Sequence, residues 1–98
     1  IISDVTGDGN MNIVGFGIDR KIYCLNSNGD LENGFPVELP SVSNAEIAAA
    51  DLDGDEAAEI IVGLTNGELF AVKGNCEVLS GFPVKMNASI VASPIILT

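Results

Sequence analysis

The chain has 98 residues, of which 47% are hydrophobic, so it is long enough for one small domain with an apolar core and is not a disordered tail. Its net charge of −10 argues against nucleic acid and anionic membrane as partners, because an acidic surface repels phosphate groups. The chain contains no His, which removes the commonest general base and the usual zinc ligand, and it has no apolar run long enough for a transmembrane helix.

An internal repeat organises the chain. The acidic segment that begins at Asp4 returns at Asp51, and the Gly-Phe-Pro-Val segment that begins at Gly34 returns at Gly81, so both pairs are 47 residues apart without a gap. A chance match of two separate motifs in one register is improbable. We therefore predict a first unit incomplete at its N-terminal strand, a complete second unit and the first strand of a third, at residues 1–46, 47–93 and 94–98.

Each unit is predicted to contain four short strands separated by turn residues. In the first unit the strands are expected at residues 1–3, 12–17, 21–25 and 30–35, and the turn at 18–20 lacks an Asn-Gly signal. In the second unit they are expected at residues 47–50, 59–63, 68–72 and 77–82. Between the middle two strands of this unit, Asn66-Gly67 predicts a type I′ hairpin turn, and Pro83 is expected to limit further pairing at the edge.

Four short strands in each unit of about 40–50 residues are typical of a β-propeller. The three alanines at 48–50 suit an innermost strand, where the strands of a propeller crowd together. A leucine-rich solenoid has a shorter period, and a sandwich does not repeat so regularly. We therefore predict an all-β fold of about two four-stranded antiparallel blades, belonging to a larger closed propeller because a ring needs about four to eight blades.

The acidic loop at residues 51–59, the second loop, is a candidate calcium site. Carboxylates occupy its positions 1, 3, 5 and 9, Gly54 permits the bend, and Ala57 at position 7 offers only its backbone carbonyl. Ca²⁺ prefers six to eight oxygen ligands, mostly from carboxylates and carbonyls. An EF-hand is rejected because its position 12 requires Glu, where this loop has Val62; a metal-free acidic turn remains the alternative. The predicted ligands are Asp51, Asp53, Asp55, Ala57 and Glu59.

The corresponding loop at residues 4–12, the first loop, keeps only two carboxylates. Thr6 and Asn12 stand at positions 3 and 9, and Asn10 stands at the carbonyl position. Fewer charges imply weaker calcium binding, and an unoccupied structural turn is the alternative. The predicted ligands of this weaker site are Asp4, Thr6, Asp8, Asn10 and Asn12.

Two further features concern the setting of the chain. Cys24 and Cys76 occupy non-equivalent positions of the repeat, so we expect free thiols and no disulfide framework. Because the chain begins at Ile1 without an initiator Met or a signal sequence, we expect it to be a piece of a longer precursor.

The acidic loops and the apolar strands that follow them resemble the FG-GAP or integrin-α-like (VCBS-type) propeller repeat, whose Asp-rich loop precedes a short apolar strand. Phe16-Gly17 is similar to the Phe-Gly pair of that family. Gly-Phe-Pro-Val together with Asp-Leu-Asp-Gly-Asp looks more like bacterial or archaeal secreted relatives than like animal integrins. The resemblance implies an extracellular or cell-surface protein with Ca²⁺ as its cofactor.

We expect a non-catalytic module for protein–protein interaction or cell adhesion. The sequence shows no nucleophile–base pair, phosphate loop or basic patch, and its carboxylates are better explained as metal ligands. The expected partners are a protein or a surface glycan, and further blades in the same chain or by self-association, without nucleic acid or membrane insertion.

Two alternatives are a lectin-like carbohydrate-binding propeller and the accessory propeller of a secreted polysaccharide-degrading enzyme. A lectin would usually carry repeated exposed aromatic residues, and this chain has few. The enzyme would need a basic catalytic cluster, whereas the four basic residues are scattered along the sequence.

Overall fold

A computed structural model describes residues 1–43 and 47–86, which form eight strands and no helix. The strands make two antiparallel sheets of four, with the orders β1-β2-β3-β4 (the first sheet) and β5-β6-β7-β8 (the second sheet), so the predicted all-β class is confirmed. The predicted strand at 94–98 lies outside the described residues. The strands are β1 (Ile2–Ser3), β2 (Asn12–Phe16), β3 (Lys21–Leu25), β4 (Val37–Glu38), β5 (Ala48–Ala50), β6 (Glu59–Gly63), β7 (Glu68–Val72) and β8 (Val84–Lys85).

The middle strands of both sheets have the predicted bounds, except that β2 ends one residue early, at Phe16. The predicted fourth strands are wrong. Residues 30–35 and 77–82 each make only one isolated bridge, and the fourth strand of each sheet follows the Gly-Phe-Pro segment instead. The reason is that a reverse turn interrupts each segment: the N–H of Phe35 donates to Glu32 O and the N–H of Phe82 to Leu79 O, both at 3.1 Å.

The hairpin turn at Asn66-Gly67 is not type I′. A type I′ turn needs positive φ at both central residues, and only Gly67 has it, at 90°. The N–H of Leu64 donates to Glu68 O at 2.8 Å and the N–H of Gly67 donates to Leu64 O at 3.1 Å, which defines a three-residue loop with its last residue left-handed. The turn at 18–20 has the same hydrogen bonds, with Arg20 at φ 66° in the left-handed position.

The hydrophobic core lies between the two sheets. Strand alternation places residues 12, 14 and 16 on one face of β2, and this face packs against the face of the second sheet that carries residues 60, 62, 70 and 72. Core side chains that are at most 2% exposed come from both sheets: Val14, Ile22, Cys24, Ile60, Val62 and Val72.

Both cysteines are free, as expected. Cys24 is fully buried in this core, and burial raises its thiol pKa to about 11. Cys76 is half-buried, its pKa is also raised by burial, and its Sγ lies 3.7 Å from Asn33 O of the first unit. Cys76 therefore belongs to the contact between the units.

The two units also meet beside the acidic loops. The N–H of Ala58 donates to Asp4 O at 2.9 Å. Gly74 approaches the first loop so closely that a Cβ added there would lie 2.2 Å from Val5 O. The second loop and the turn after β7 are therefore both packed against the first loop.

Candidate metal site

Four acidic side chains of the second loop meet at one place, with one carboxylate oxygen of each within 4.8 Å of the others. The loop joins β5 to β6, and Ala50 pairs with Glu59 in the ladder, so the two ends of the loop are adjacent. No other group of three or more His, Cys, Asp or Glu side chains comes together in residues 1–43 and 47–86. The four residues are Asp51, Asp53, Asp55 and Glu59.

Backbone N–H groups hold the second loop around Asp51. Its Oδ1 accepts from Gly54 at 2.8 Å and from Asp55 at 3.2 Å, and its Oδ2 accepts from Glu56 at 2.9 Å. The loop closes through left-handed conformations at Gly54 (φ 80°) and Glu56 (φ 69°). Ala57, predicted to offer its carbonyl, is half-buried, and its N–H donates to Asp55 Oδ1 at 3.0 Å.

Glu59 is the buried member of the cluster, with 1% of its surface exposed. One of its oxygens accepts the N–H of Leu52 at 2.7 Å. Burial, followed by the negative charges of Asp53 and Asp55, raises the pKa of the Glu59 carboxyl. The pKa of Asp55 is lowered, chiefly because its carboxylate accepts the N–H of Ala57. In the metal-free loop, burial therefore opposes the charged form of Glu59.

Lys73 is a site residue that was not predicted from the sequence, in which it is only one of four scattered basic residues. Its Nζ lies 3.6 Å from Asp53 Oδ2 in a pair whose side chains are 31% and 27% exposed. The repeat contains a sequence signal for this pair. In the first unit Asn26 stands at the position of Lys73 and Thr6 at the position of Asp53, so the basic residue occurs only in the unit that also has the acidic one.

A cavity of about 270 Å³ adjoins the cluster. It lies between the second loop, the turn after β7 and the first loop. Asp55 and Glu59 of the cluster therefore lie at the boundary between the two units. The cavity is lined by Val5, Thr6, Asp55, Ala57, Glu59, Lys73, Gly74 and Asn75.

The donor set of the cluster fits Ca²⁺. Two oxygens bound to one Ca²⁺ at about 2.3–2.6 Å lie at most about 5.2 Å apart, and the spacing of these oxygens is within that limit. All four side chains offer hard carboxylate oxygens, whereas zinc sites are usually built from Cys and His. The cluster can therefore hold a divalent cation of the hard class.

The first loop repeats three of the backbone hydrogen bonds of the second. Asp4 accepts from Gly7 at 2.8 Å and from Gly9 at 2.9 Å, and Asp8 accepts from Asn10 at 2.9 Å. Of the other predicted ligands, Thr6 and Asn10 are exposed, whereas the Asn12 side chain is buried and bonded to protein groups. Metal binding by this loop stays a prediction.

In a comparison with protein families, the family model of the FG-GAP-like repeat matches residues 4–62, more than half of the chain. The match runs from the first loop to the end of the second loop and into β6. A comparison with curated protein sequences gives no match. Among residues 1–43 and 47–86 there is no helix of the length and hydropathy needed to cross a membrane.

Proposed function

Because the chain belongs to the FG-GAP-like repeat family, we propose that it is a calcium-binding propeller module that acts outside the cell in protein–protein interaction or adhesion. The observation that carries the proposal is the cluster of four carboxylate oxygens within 4.8 Å of one another. Extracellular modules bind calcium with a Kd of about 10⁻⁴–10⁻³ M, so an exposed site of this kind suits an extracellular module. We assign the carboxylates a ligand role and propose no catalytic activity.

The second loop ties three parts of the molecule together. Asp51 follows β5 directly, and Glu59 is the first residue of β6, so ligands from both strands converge on one point. The same loop contacts the first unit through the hydrogen bond between Ala58 N–H and Asp4 O. Bound Ca²⁺ would supply the positive charge that these carboxylates lack, and the loop would then hold both strands and the neighbouring unit more firmly.

The metal assignment is tested by thermal unfolding in calcium and in chelator. At a calcium concentration 100 times Kd, binding to the folded state stabilises it by about 2.7 kcal/mol, which corresponds to a rise of about 10–20 °C in Tm for a domain of this size. Asp53→Ala should abolish most of that rise. Asp30→Ala, an exposed Asp outside both acidic loops, is the matched control and should keep it. A folded wild-type chain whose Tm ignores calcium contradicts the proposal.

A second part of the proposal concerns an exposed apolar row on the first sheet, defined by four cross-strand partners: Ile2, Ile13, Leu25 and Leu31. Cross-strand partners share a face, and Ile2 is 70% exposed and Ile13 48% exposed. In the second sheet the corresponding row is Ala49, Ile60, Val72 and Val78, and its two central residues are fully buried in the core between the sheets.

The repeat therefore indicates what covers the exposed row. Because the first sheet covers the second-sheet row, a further blade of the same repeat is the proposed occupant, from the same chain or a second copy. In sedimentation velocity we expect concentration-dependent association of the wild-type chain, lost in Ile13→Asp. Ile18→Asp is the control, since Ile18 is 99% exposed in the hairpin turn. A wild-type chain that stays monomeric at every concentration contradicts association through a second copy.

A further inference from the structure

The two acidic loops share one backbone arrangement but differ in charge. Asp4 and Asp51 each accept N–H bonds from the residues three and five positions ahead. Asp8 and Asp55 each accept from the residue two positions ahead. The side chains at positions 3 and 9 are acidic only in the second loop. The first loop therefore adopts the same form with two fewer carboxylates at the predicted ligand positions.

Asn12, at position 9 of the first loop, has every polar group of its side chain engaged. Its Oδ1 accepts the N–H of Val5 at 3.0 Å, and its Nδ2 donates to Glu32 Oε2 at 2.7 Å and to Leu25 O at 3.3 Å. The opposite amide orientation would set Oδ1 against two acceptors and Nδ2 against a donor, so the hydrogen bonds fix the orientation. Only 2% of Asn12 is exposed, so this is an interior arrangement.

Position 9 of the second loop differs in the oxygen atoms that its side chain offers to a cation. One Glu59 oxygen accepts the N–H of Leu52, as Asn12 Oδ1 accepts that of Val5, but a carboxylate has a second oxygen to offer an ion. Asn12 has a single, uncharged oxygen, and its other terminal atom is a donor that is directed at Glu32 and Leu25 O. Position 9 of the first loop therefore offers one neutral oxygen and two N–H groups, whereas position 9 of the second loop offers a carboxylate.

The residue that bonds Asn12 also differs between the two units. Glu32 accepts from Asn12 in the first unit, and the residue 47 positions later in the sequence is the uncharged Leu79. If Glu replaced Asn12, its carboxylate would face the carboxylate of Glu32, and two like charges at hydrogen-bonding distance repel. Each unit therefore avoids two negative charges at these two repeat positions. The first unit has Asn12 and Glu32, and the second has Glu59 and Leu79.

We propose that the first loop takes no metal ion and is closed instead by the Asn12–Glu32 pair, so that the two units together bind a single cation in the second loop. Glu32 is the positioning residue: it holds the Asn12 amide so that Oδ1 caps the Val5 N–H. The inference rests on the proposed function of the second loop, and it divides calcium dependence unequally between units of the same fold.

Isothermal titration with calcium chloride tests the proposal on the intact chain. We expect one ion per wild-type chain. Asp55→Asn should lose most of the binding, and Asp8→Asn, the matched change in the first loop, should leave both stoichiometry and affinity unchanged. Asn can still accept the backbone N–H at either position, so the loops should keep their form. Two ions in the wild type, one of them lost in Asp8→Asn, would overturn the inference and leave the proposed function intact.

A second test of the proposal introduces a calcium site into the first loop. Thr6→Asp/Asn12→Glu/Glu32→Leu gives the first loop the residues of the second at all three positions and should raise the stoichiometry to two. Thr6→Asp/Asn12→Glu alone keeps Glu32 and should melt at a lower temperature in chelator than the triple variant. A triple variant that folds and binds one ion would overturn the role given to these positions. Absence of calcium binding by the wild type would instead overturn the proposed function and this inference with it.

Discussion

Lys73 places a positive charge of the protein beside the carboxylates of the second loop. Its Nζ is 3.6 Å from Asp53 Oδ2, and the pair is only partly exposed. An opposite charge at this range stabilises an ionised carboxylate, so Lys73 offsets part of the repulsion in the metal-free protein. The same charge opposes the entry of a cation at Asp53. Lys73 is therefore expected to act in two directions, stabilising the empty loop and weakening calcium binding.

Lys73→Asn, which introduces the residue of the first unit at this position, tests both effects. Partly exposed ion pairs are worth about 0.2–1 kcal/mol, so calcium affinity should rise up to about fivefold, and stability in chelator should fall by less than about 1 kcal/mol. Titration calorimetry and chelator melts measure the two changes.

Lys85→Asn is the control for loss of a positive charge, because Lys85 is exposed and donates to Asn66 O in the hairpin region. Equal effects of the two variants would show that the contact with Asp53 has no specific role. A lower affinity in Lys73→Asn would contradict the proposed competition.

The carboxylates of the cluster were predictable from sequence because they lie within nine residues of a tight loop, where spacing alone brings them together. The long-range partners of side chains in the two loops were not predictable. Glu32 is 20 residues from Asn12, and Lys73 is separated from Asp53 by the whole β6–β7 hairpin. These contacts depend on strand pairing and on the turns after the third strands, so local spacing carried no sign of them. Only the paired differences between the two units did.

At the scale of the element, the β2–β3 and β6–β7 hairpins show why the turn type was mispredicted. The Asn66 side chain accepts the N–H of Glu68 at 2.9 Å, so Asn serves here through its side chain and does not adopt positive φ. Asp19 accepts the N–H of Lys21 in the same way, at 3.2 Å. Two unlike sequences therefore form one turn, because each supplies this side-chain acceptor and tolerates one left-handed residue.

Gly67→Ala should lower the free energy of unfolding by about 1–2 kcal/mol, because a Cβ in the left-handed region crowds its own carbonyl oxygen. Arg20→Ala is the matched control. Arg20 already has a Cβ at φ 66°, so this change adds no such crowding and removes only its exposed ion pair with Glu38, worth less than about 1 kcal/mol. Urea unfolding measures both. A Gly67→Ala loss no larger than that of Arg20→Ala would contradict the left-handed requirement.

The fourth strands show a second limit of element prediction. Pro has no N–H, and the fourth strand was therefore predicted to end before it. The structure uses the residues after the Pro: Val37 pairs with Ile22 and Val84 with Leu69. The apolar residues that suggested a strand are drawn instead into a bent segment, in which Phe35 is buried in the core and Leu31 makes only a bridge.

At the scale of the whole molecule, the contact between the units explains one position at which the two repeats differ in sequence. Gly74 follows β7, and the residue 47 positions earlier is Ser27, which is exposed. The backbone of Val5 lies against Gly74, leaving no room for a Cβ, whereas Ser27 carries a Cβ and is exposed. The small residue is therefore required by the neighbouring unit and not by the turn itself, since Gly74 does not have positive φ.

Gly74→Ala should accordingly destabilise the chain by about 1–3 kcal/mol or more, because the new Cβ would lie 2.2 Å from Val5 O and a backbone atom cannot rotate away as a side chain can. Gly15→Ala is the control: it lies in β2 with open space around the added Cβ, and both changes reduce the entropy of the unfolded chain alike. Chemical unfolding of both variants in chelator separates the contact from any effect on calcium.

The difference between these two variants isolates the packing of one unit on the other. If the units are a single cooperative structure, Gly74→Ala should lower the midpoint of one transition that both units share. If they unfold separately, the unfolding curve should split, with the second unit still folded. Equal stability of Gly74→Ala and Gly15→Ala would mean that the turn after β7 does not bear on the first loop. The cavity between the loops would then not require the two units to be rigidly joined.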